Sequence, residues 1–591
     1  MTNTMNTELF GIVAMFLAAL LIAIPLGRYI ARVYGGERSL LDPVMGPVER
    51  LFFRLSGIDF KREMDWKEHL KALLTINMIW FLWTMFVLTN QGWLPWNPDC
   101  NPSMSADLAF NTAISFVVNC NLQHYSGETG VTYFSQIFGL MFLQFVSAGT
   151  GMAAAAMVFN ALRPNLKPLS QGEGLTDPHS SPLPGRGAGG EGLGNFYDYF
   201  LKSMTRVLLP ISLAVAVLLM FNGTPQTIEG KDSIVTLRGD SVQVSRGPVA
   251  GFVAIKHLGT NGGGYYGANS AHPLENPNYF TNMVEMVAQL IIPFAMVFAL
   301  GFYLKRKRFA WMVFGVMTVG FLLLAVPNII MEVNGNPNIT AMGIDQGSGA
   351  MEGKEVRFGA AASGFWSIVT TVISTGSVNA MHDSTMPLSG MNELLAMMTN
   401  AFYGGAGVGI LNFFVFIVLA VFISGLMVGR TPEFMGKKVE AREMKIAMII
   451  ALLHPLLILT GTALAAYGIT HHADYAWLNN PGSHGFSEML YEYTSSAANN
   501  GSGFEGLGDN TPWWNFSTGI ILLLSRFLPI IGPLAIAGLL AQKKYIPEST
   551  GTLKTDTGTF GVVVFAVIAI VAALSFFPAL ALGPIAEYLS F

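Results

Sequence analysis

Ten separate stretches of this 591-residue chain are each apolar over about 20 residues, the length an α-helix needs to cross a bilayer. They fall near 8–30, 70–90, 132–160, 198–221, 280–303, 309–331, 406–428, 445–468, 516–540 and 560–587. A backbone inside hydrocarbon must satisfy its own N–H and C=O groups, and a helix does so within one segment. The expected fold is an all-α polytopic membrane protein. Composition agrees, with 52% hydrophobic residues and 12% charged, about half the charged share of a soluble domain. The net charge of -4, with its basic residues dispersed among loops, leaves no footprint for nucleic acid. Cys100 and Cys120 are too few for a disulfide framework or a zinc site. The tail before the first run lacks the basic residues of a cleavable signal, so that run is read as a membrane span.

Basic residues set the expected orientation. Arg28 to Lys67 follow span one, Arg163 and Lys167 span three, Lys305 to Arg308 span five, Arg430 to Lys445 span seven, and Lys543 and Lys544 span nine. The positive-inside rule makes these loops cytoplasmic, so both termini and the four Gly/Asn-rich connections face outward. Residues 168–194 are low-complexity and too poor in large apolar side chains to order themselves, which predicts a disordered cytoplasmic insert. Residues 227–244 alternate apolar and polar around Arg238-Gly239-Asp240, the pattern of a small external hairpin.

The four outward connections share one plan: a short apolar segment, a cluster of small polar residues, and a glycine-rich or polar exit. The clusters are Asn119-Cys120-Asn121, Thr260-Asn261-Gly262, Ser374-Thr375-Gly376 and Asn499-Asn500-Gly501. We read four pseudo-repeated helix, pore-loop, helix units around one ion pathway. By residue range, 1–69 holds the first transmembrane helix and a cytoplasmic loop, 70–162 repeat 1, 163–197 a linker and 198–304 repeat 2 with the hairpin. Repeat 3 takes 305–430, repeat 4 takes 431–544, and the last transmembrane helix lies in 545–591. A dehydrated monovalent cation needs oxygen dipoles in place of its water, and converging carbonyls supply them without an acidic side chain. Glycine permits the backbone that aims them, while Asn, Thr and Ser add oxygens or brace the loop. No triplet contains Asp or Glu, which argues against a divalent-cation site within them.

The motifs NCNLQHYSGE, HLGTNGGGYYGANS, GSVNAMHDS and SSAANNGSGFEGL resemble those of the potassium-binding A subunit of the Kdp-type potassium-transporting ATPase. That family belongs to a superfamily whose filters are degenerate relatives of the TVGYG loop of potassium channels. The resemblance covers essentially the whole chain apart from 168–194. It implies potassium as the transported ion, with the twelve triplet residues as its filter, in a multi-pass protein of the bacterial inner membrane. It further implies the B, C and F components of the Kdp complex as partners, beside membrane lipid. Of these, B is the catalytic P-type ATPase that hydrolyses ATP, and F is small with a single span. The chain itself is then no enzyme.

Other residues carry expectations of their own. Gln123 resembles the family position at the filter entrance; the competing reading is a loop residue bonded to neighbouring backbone. His382 and Asp383 follow the third loop and are expected to form a hydrogen-bonded pair that braces it, in preference to a proton relay. Arg526 places a charge inside span nine, which is costly and by default functional; in the family it would face the interior, near where ions leave. Glycines in TNAFYGGAGVG, residues 399–409, should break a helix beneath the filter, as a gate or as a simple kink. The sequence DTGT at 556–559 lacks the lysine of a P-type phosphorylation motif, and GTNGGG is followed by no GK[ST], so neither marks a nucleotide site. Two other functions remain open from residues alone: a stand-alone potassium channel or ion-coupled symporter, and a transporter of a polar organic solute.

Overall fold

The computed structural model describes residues 2–163, 192–472, 476–547 and 554–590. The expected insert at 168–194 falls almost wholly outside the described residues. Among those described, ten helices are long and apolar enough to cross a membrane. They are Glu8–Tyr34, Trp66–Asn90, Ser135–Ala161, Phe196–Phe221, Tyr279–Tyr303, Lys307–Ala341, Val408–Val428, Ala441–His471, Pro512–Ala541 and Gly558–Ser590. Several start at identifiable caps. Asp65 accepts the N–H groups of Lys67 and Glu68 while Glu68 returns to the Asp65 N–H, and Asn278 and Thr281 do the same at the fifth span. Thr511 caps the ninth, with Pro512 at its first position, where a missing N–H costs nothing.

Burial sorts the spans into two shells. In spans three, five, seven and nine, between 61% and 83% of the most apolar window is buried, against 28% to 50% in the other six. The first four are the inner helices, each following a polar loop. Between an outer and an inner span stands a short helix that does not cross: Ala106–Val117, Val249–Leu258, Ala360–Ile373 and Ser483–Ala498. Span one packs along span five, where Gly27 lets the helices close, since a Cβ there would sit 2.6 Å from the Ala295 carbonyl oxygen. The alternating segment at 227–244 forms an antiparallel pair, Asp232–Val235 with Ser241–Val244, in the register Asp232 to Val244.

One stretch expected as loop is partly helical. Asp42–Ser56 forms a helix whose first turn holds an acidic residue and a proline, both favoured there, and Asp42 also accepts the preceding Ser39 N–H at 2.9 Å. Arg206 of span four then holds it, bonding Glu49 through Nε at 2.7 Å and Nη2 at 2.5 Å, and also Asp42. Such a buried bidentate pair anchors the helix directionally.

Candidate functional site

Each short helix ends in the same way. The N–H of the second triplet residue reaches the carbonyl five residues back: Cys120 to Ser115 at 3.0 Å, Asn261 to Lys256 at 2.9 Å, Thr375 to Thr370 at 2.9 Å and Asn500 to Ser495 at 2.9 Å. This is the six-to-one bond of a Schellman cap, which requires the residue before it to be left-handed. The first triplet residues meet that requirement, with φ of 66° at Asn119, 51° at Thr260, 55° at Ser374 and 53° at Asn499. The third triplet residues are left-handed too, with φ of 56° at Asn121, 69° at Gly262, 83° at Gly376 and 105° at Gly501. Left-handed residues at alternate positions cancel the pleat of an extended chain, so successive carbonyls turn to one side. Four loops therefore share one backbone device, launched by the helix cap itself.

The loops close into a ring in the order one, two, three, four. A Cβ added at Gly262 would stand closer than 3.0 Å to the Thr375 carbonyl oxygen, one at Gly376 to that of Asn500, and one at Gly501 to that of Cys120, a separation real Cβ atoms do not show. Three glycines thus let each loop press on the next. The first loop ends in Asn121, and here the neighbour yields: a Cβ at Gly263 would lie 2.9 Å from the Asn121 Cβ. The Asn121 amide uses the space to donate to the Gly262 carbonyl at 2.8 Å.

Side chains brace the ring from outside. Asn261 turns its amide toward Asn119 and donates to Ser147 Oγ at 3.0 Å and to the Gln144 carbonyl at 3.2 Å. Thr260 Oγ1 accepts the Ala406 N–H at 2.8 Å, and Asn500 donates to the Thr370 carbonyl at 2.8 Å. At Thr260, Asn261 and Asn500 the side chains are thus spent on support, and the Thr260 and Gly262 carbonyls accept the Asn119 and Asn121 amides at 2.7 and 2.8 Å. Buried oxygens without a donor remain on the same loops, at Asn121 Oδ1, Asn261 Oδ1 and Thr375 Oγ1.

Each seam between neighbouring loops carries its own clasp. Gln123 joins loops one and two, donating to the Gly264 carbonyl at 3.1 Å and accepting its N–H at 2.6 Å, so it is bonded to backbone across the seam. His257 of the second short helix lies 2.9 Å from Ser377 Oγ of loop three. His382 Nδ1 lies 2.8 Å from the Tyr491 hydroxyl of the fourth short helix. His124 ties loop one to the fourth unit, with Nδ1 2.7 Å from Asn515 and Nε2 3.1 Å from Glu492. Burial alone would lower the His124 pKa, but the Asp509 and Glu492 carboxylates outweigh it and hold the imidazolium up to about 9. The expected pair of His382 with Asp383 is not formed, because the His382–Ser384 turn sends the two side chains apart and Asp383 bonds His484 at 3.0 Å instead.

Below the ring the chain breaks. Helix Pro387–Thr399 ends, and the backbone runs irregularly to Val408 through Tyr403, Gly404 and Gly407, all left-handed. Gly405 faces Thr260 Oγ1 and Asn119 Nδ2, 3.6 and 3.8 Å from where its Cβ would be, which places the break directly against first triplet residues. A Cβ at Gly407 would collide with the Gly151 carbonyl of span three. Arg526 lies beside this contact, 3% exposed, donating to the Ser147 carbonyl at 3.2 Å, and no carboxylate among the described residues pairs with it.

All twelve triplet residues therefore meet in one ring, Gln123 at its first seam and Arg526 toward the break. Sequence reasoning missed the clasps at His124, His257 and Tyr491, whose partners lie more than 100 residues away in the chain. Fold and ring together define a class, a multi-pass membrane protein of four loop-bearing units set around one axis. The chain belongs to the potassium-transporting ATPase A subunit family, whose profile matches residues 13–589. It is 68% identical to the potassium-transporting ATPase potassium-binding subunit of Flavobacterium psychrophilum over 99% of both chains. Identity to the corresponding subunit of Phocaeicola vulgatus is 58% over 99% of this chain and 100% of the relative. For that of Geobacillus kaustophilus it is 45% over 97% and 98%.

Proposed function

We propose that this chain is the potassium-binding, channel-like translocating subunit of an ATP-driven potassium uptake complex. Potassium enters from the outer side, exchanges its water for backbone oxygens of the twelve triplet residues, and moves on to a P-type ATPase partner. Gln123 stands at the entrance of this filter, and Arg526 sets a positive charge near the ion's exit, where it discourages a cation from resting. ATP is hydrolysed in that partner, the B component of the complex, accompanied by the C component and the single-span F component, in the bacterial inner membrane. Both termini face outward, as the distribution of basic loops favours.

The observation that carries the reading is the fourfold recurrence of one left-handed alternation, launched from four helix caps and closed into a ring without a carboxylate in any triplet. Family membership supports potassium as the ion, since the relatives are potassium-binding subunits. Reconstitution tests it. The complete complex in liposomes should take up potassium only with ATP, and the chain alone should sustain no flux. Sustained potassium flux through the chain alone, without ATP or partner, would replace the proposal with a stand-alone channel or symporter.

A further inference from the structure

A second cluster of ligating groups stands apart from the ring, on the same side as the loops. His484 and Glu488 lie one helical turn apart on the first turns of the fourth short helix, so both project from one face. Asp383 reaches them from the exit of the third loop. One ligand atom from each of the three lies within 4.8 Å of the others. The glycine at 506 makes this convergence possible: a Cβ there would crowd Glu488 Oε1, Asp383 Oδ2 at 2.8 Å and Asn480 Nδ2 at 3.1 Å. Asn480 now donates to both carboxylates, at 2.9 and 3.4 Å, and its amide turned over would offer Oδ1 to the same point.

Two further observations point to a ligand. Glu488 is 0% exposed, yet its Oε2 has no hydrogen-bond partner, a costly state for a buried carboxylate oxygen. The imidazole is also oriented as metal-bound histidines are. His484 Nδ1 faces Glu587 Oε1 at 2.8 Å, while Nε2 points at the cluster, 3.0 Å from Asp383 Oδ1. A carboxylate on the far nitrogen fixes the ring and raises the basicity of the near one. A cavity of about 520 Å³, lined by Asp383, Asn480, His484 and Glu587 among others, opens onto the group and gives an ion its way in.

We propose that Asp383, His484 and Glu488, with Asn480 as a fourth ligand, bind one divalent transition-metal cation, and that Glu587 positions the imidazole. One nitrogen among oxygen ligands suits Mn²⁺ or Zn²⁺ better than Mg²⁺ or Ca²⁺, which take oxygen almost exclusively. The proton on Nε2 leaves to solvent as the cation arrives. A bound metal would join the third loop's exit to the fourth short helix, with the C-terminal Ala586–Ser590 turn held against them through Glu587. This site does not depend on the potassium reading of the ring.

The test uses the purified complex, stripped with chelator and titrated with Mn²⁺ under electron paramagnetic resonance, with Zn²⁺ as competitor. One Mn²⁺ per chain, displaced by Zn²⁺ and not by equal Ca²⁺ or Mg²⁺, is expected. His484→Gln and Asp383→Asn should each weaken binding by about tenfold or more, and Glu587→Gln by about tenfold, while ATP-driven potassium uptake at saturating potassium reports that the variants fold. Zinc X-ray absorption on the unaltered complex should show one imidazole among oxygen scatterers, a result that needs no variant. Absence of stoichiometric binding, undiminished binding in His484→Gln, preference for Ca²⁺ or Mg²⁺, or a zinc shell without imidazole would each overturn the assignment.

Discussion

Loop one and loops two to four solve the same packing problem from opposite sides. In loops two, three and four the third triplet residue is glycine, and the loop itself gives way where it meets the next carbonyl. In loop one that residue is Asn121, and the room is made by Gly263 of the neighbouring loop. A degenerate ring can therefore keep fourfold backbone geometry without fourfold sequence, provided each seam holds one glycine. What loop one gains is a side chain that donates to the Gly262 carbonyl and fixes the register of that seam.

The largest effect should come from breaking a glycine-bearing seam. Gly262→Asp puts a Cβ and a carboxylate against the Thr375 carbonyl at a left-handed position. Apparent potassium affinity of the complex should fall by about 100-fold, equivalent to ~2.8 kcal/mol, with preference over smaller cations lost. Unchanged ion selectivity in uptake assays would mean that the seam is misassigned. Gly263→Ala should cost less, about tenfold: its one contact under 3.0 Å is with the Asn121 side chain, and the rest of the cost is the left-handed backbone. Adding Asn121→Gly removes that side chain and should restore part of the loss, so the two changes should be strongly non-additive. Simple additivity in the double-mutant cycle would break the comparison between the loops.

Gln123 offers a milder probe of the same seam. Gln123→Arg exchanges two bonds to Gly264 for a cation at the ring's mouth, and apparent potassium affinity should weaken by about fivefold. An affinity equal to the unaltered chain would remove Gln123 from the entrance. The smallest effect concerns the opposite seam and is read as stability. Because the folded His124 pKa, at about 9, stands above its ordinary 6.5, its stabilisation is complete below pH 6.5 and is lost as pH rises through 9. Melting temperature should drop by about 1–3 °C more across that window in the unaltered chain than in His124→Gln, where Glu505, pushed up to about 8 by burial, still titrates. A drop of equal size in the variant would assign the pH dependence to another group.

How far these features were legible differs between backbone and side chains. Ten spans and four polar loops could be read from residue type, because hydrophobic length and small polar clusters are local signals. The left-handed first position was within reach only at Asn119 and Asn499, since asparagine tolerates a helix-ending turn, whereas Ser374 and the β-branched Thr260 carry no such signal. That Asn121 could stand where glycine does elsewhere was not legible, for its explanation lies at Gly263, a contact made only when the ring closes. The same applies to Asp383, which pairs with His484 and not with adjacent His382. The helix at Asp42–Ser56 carried a local signal, Asp-Pro after Ser39, obscured by the basic residues that marked the region as loop. Of the two roles open to Asn261, adding an oxygen or bracing the loop, its amide nitrogen takes the second, reaching Ser147 and Gln144 on span three.

The central claim is that one ring of four non-identical loops holds the ion by its main chain. Diffraction from the complex soaked in Tl⁺, a potassium mimic with a strong anomalous signal, tests it most directly. The account predicts anomalous density on the ring axis, bounded by backbone oxygens of all four triplets, and its disappearance in Gly262→Asp. Density coordinated elsewhere, or flanked by fewer than four of the loops, would contradict it.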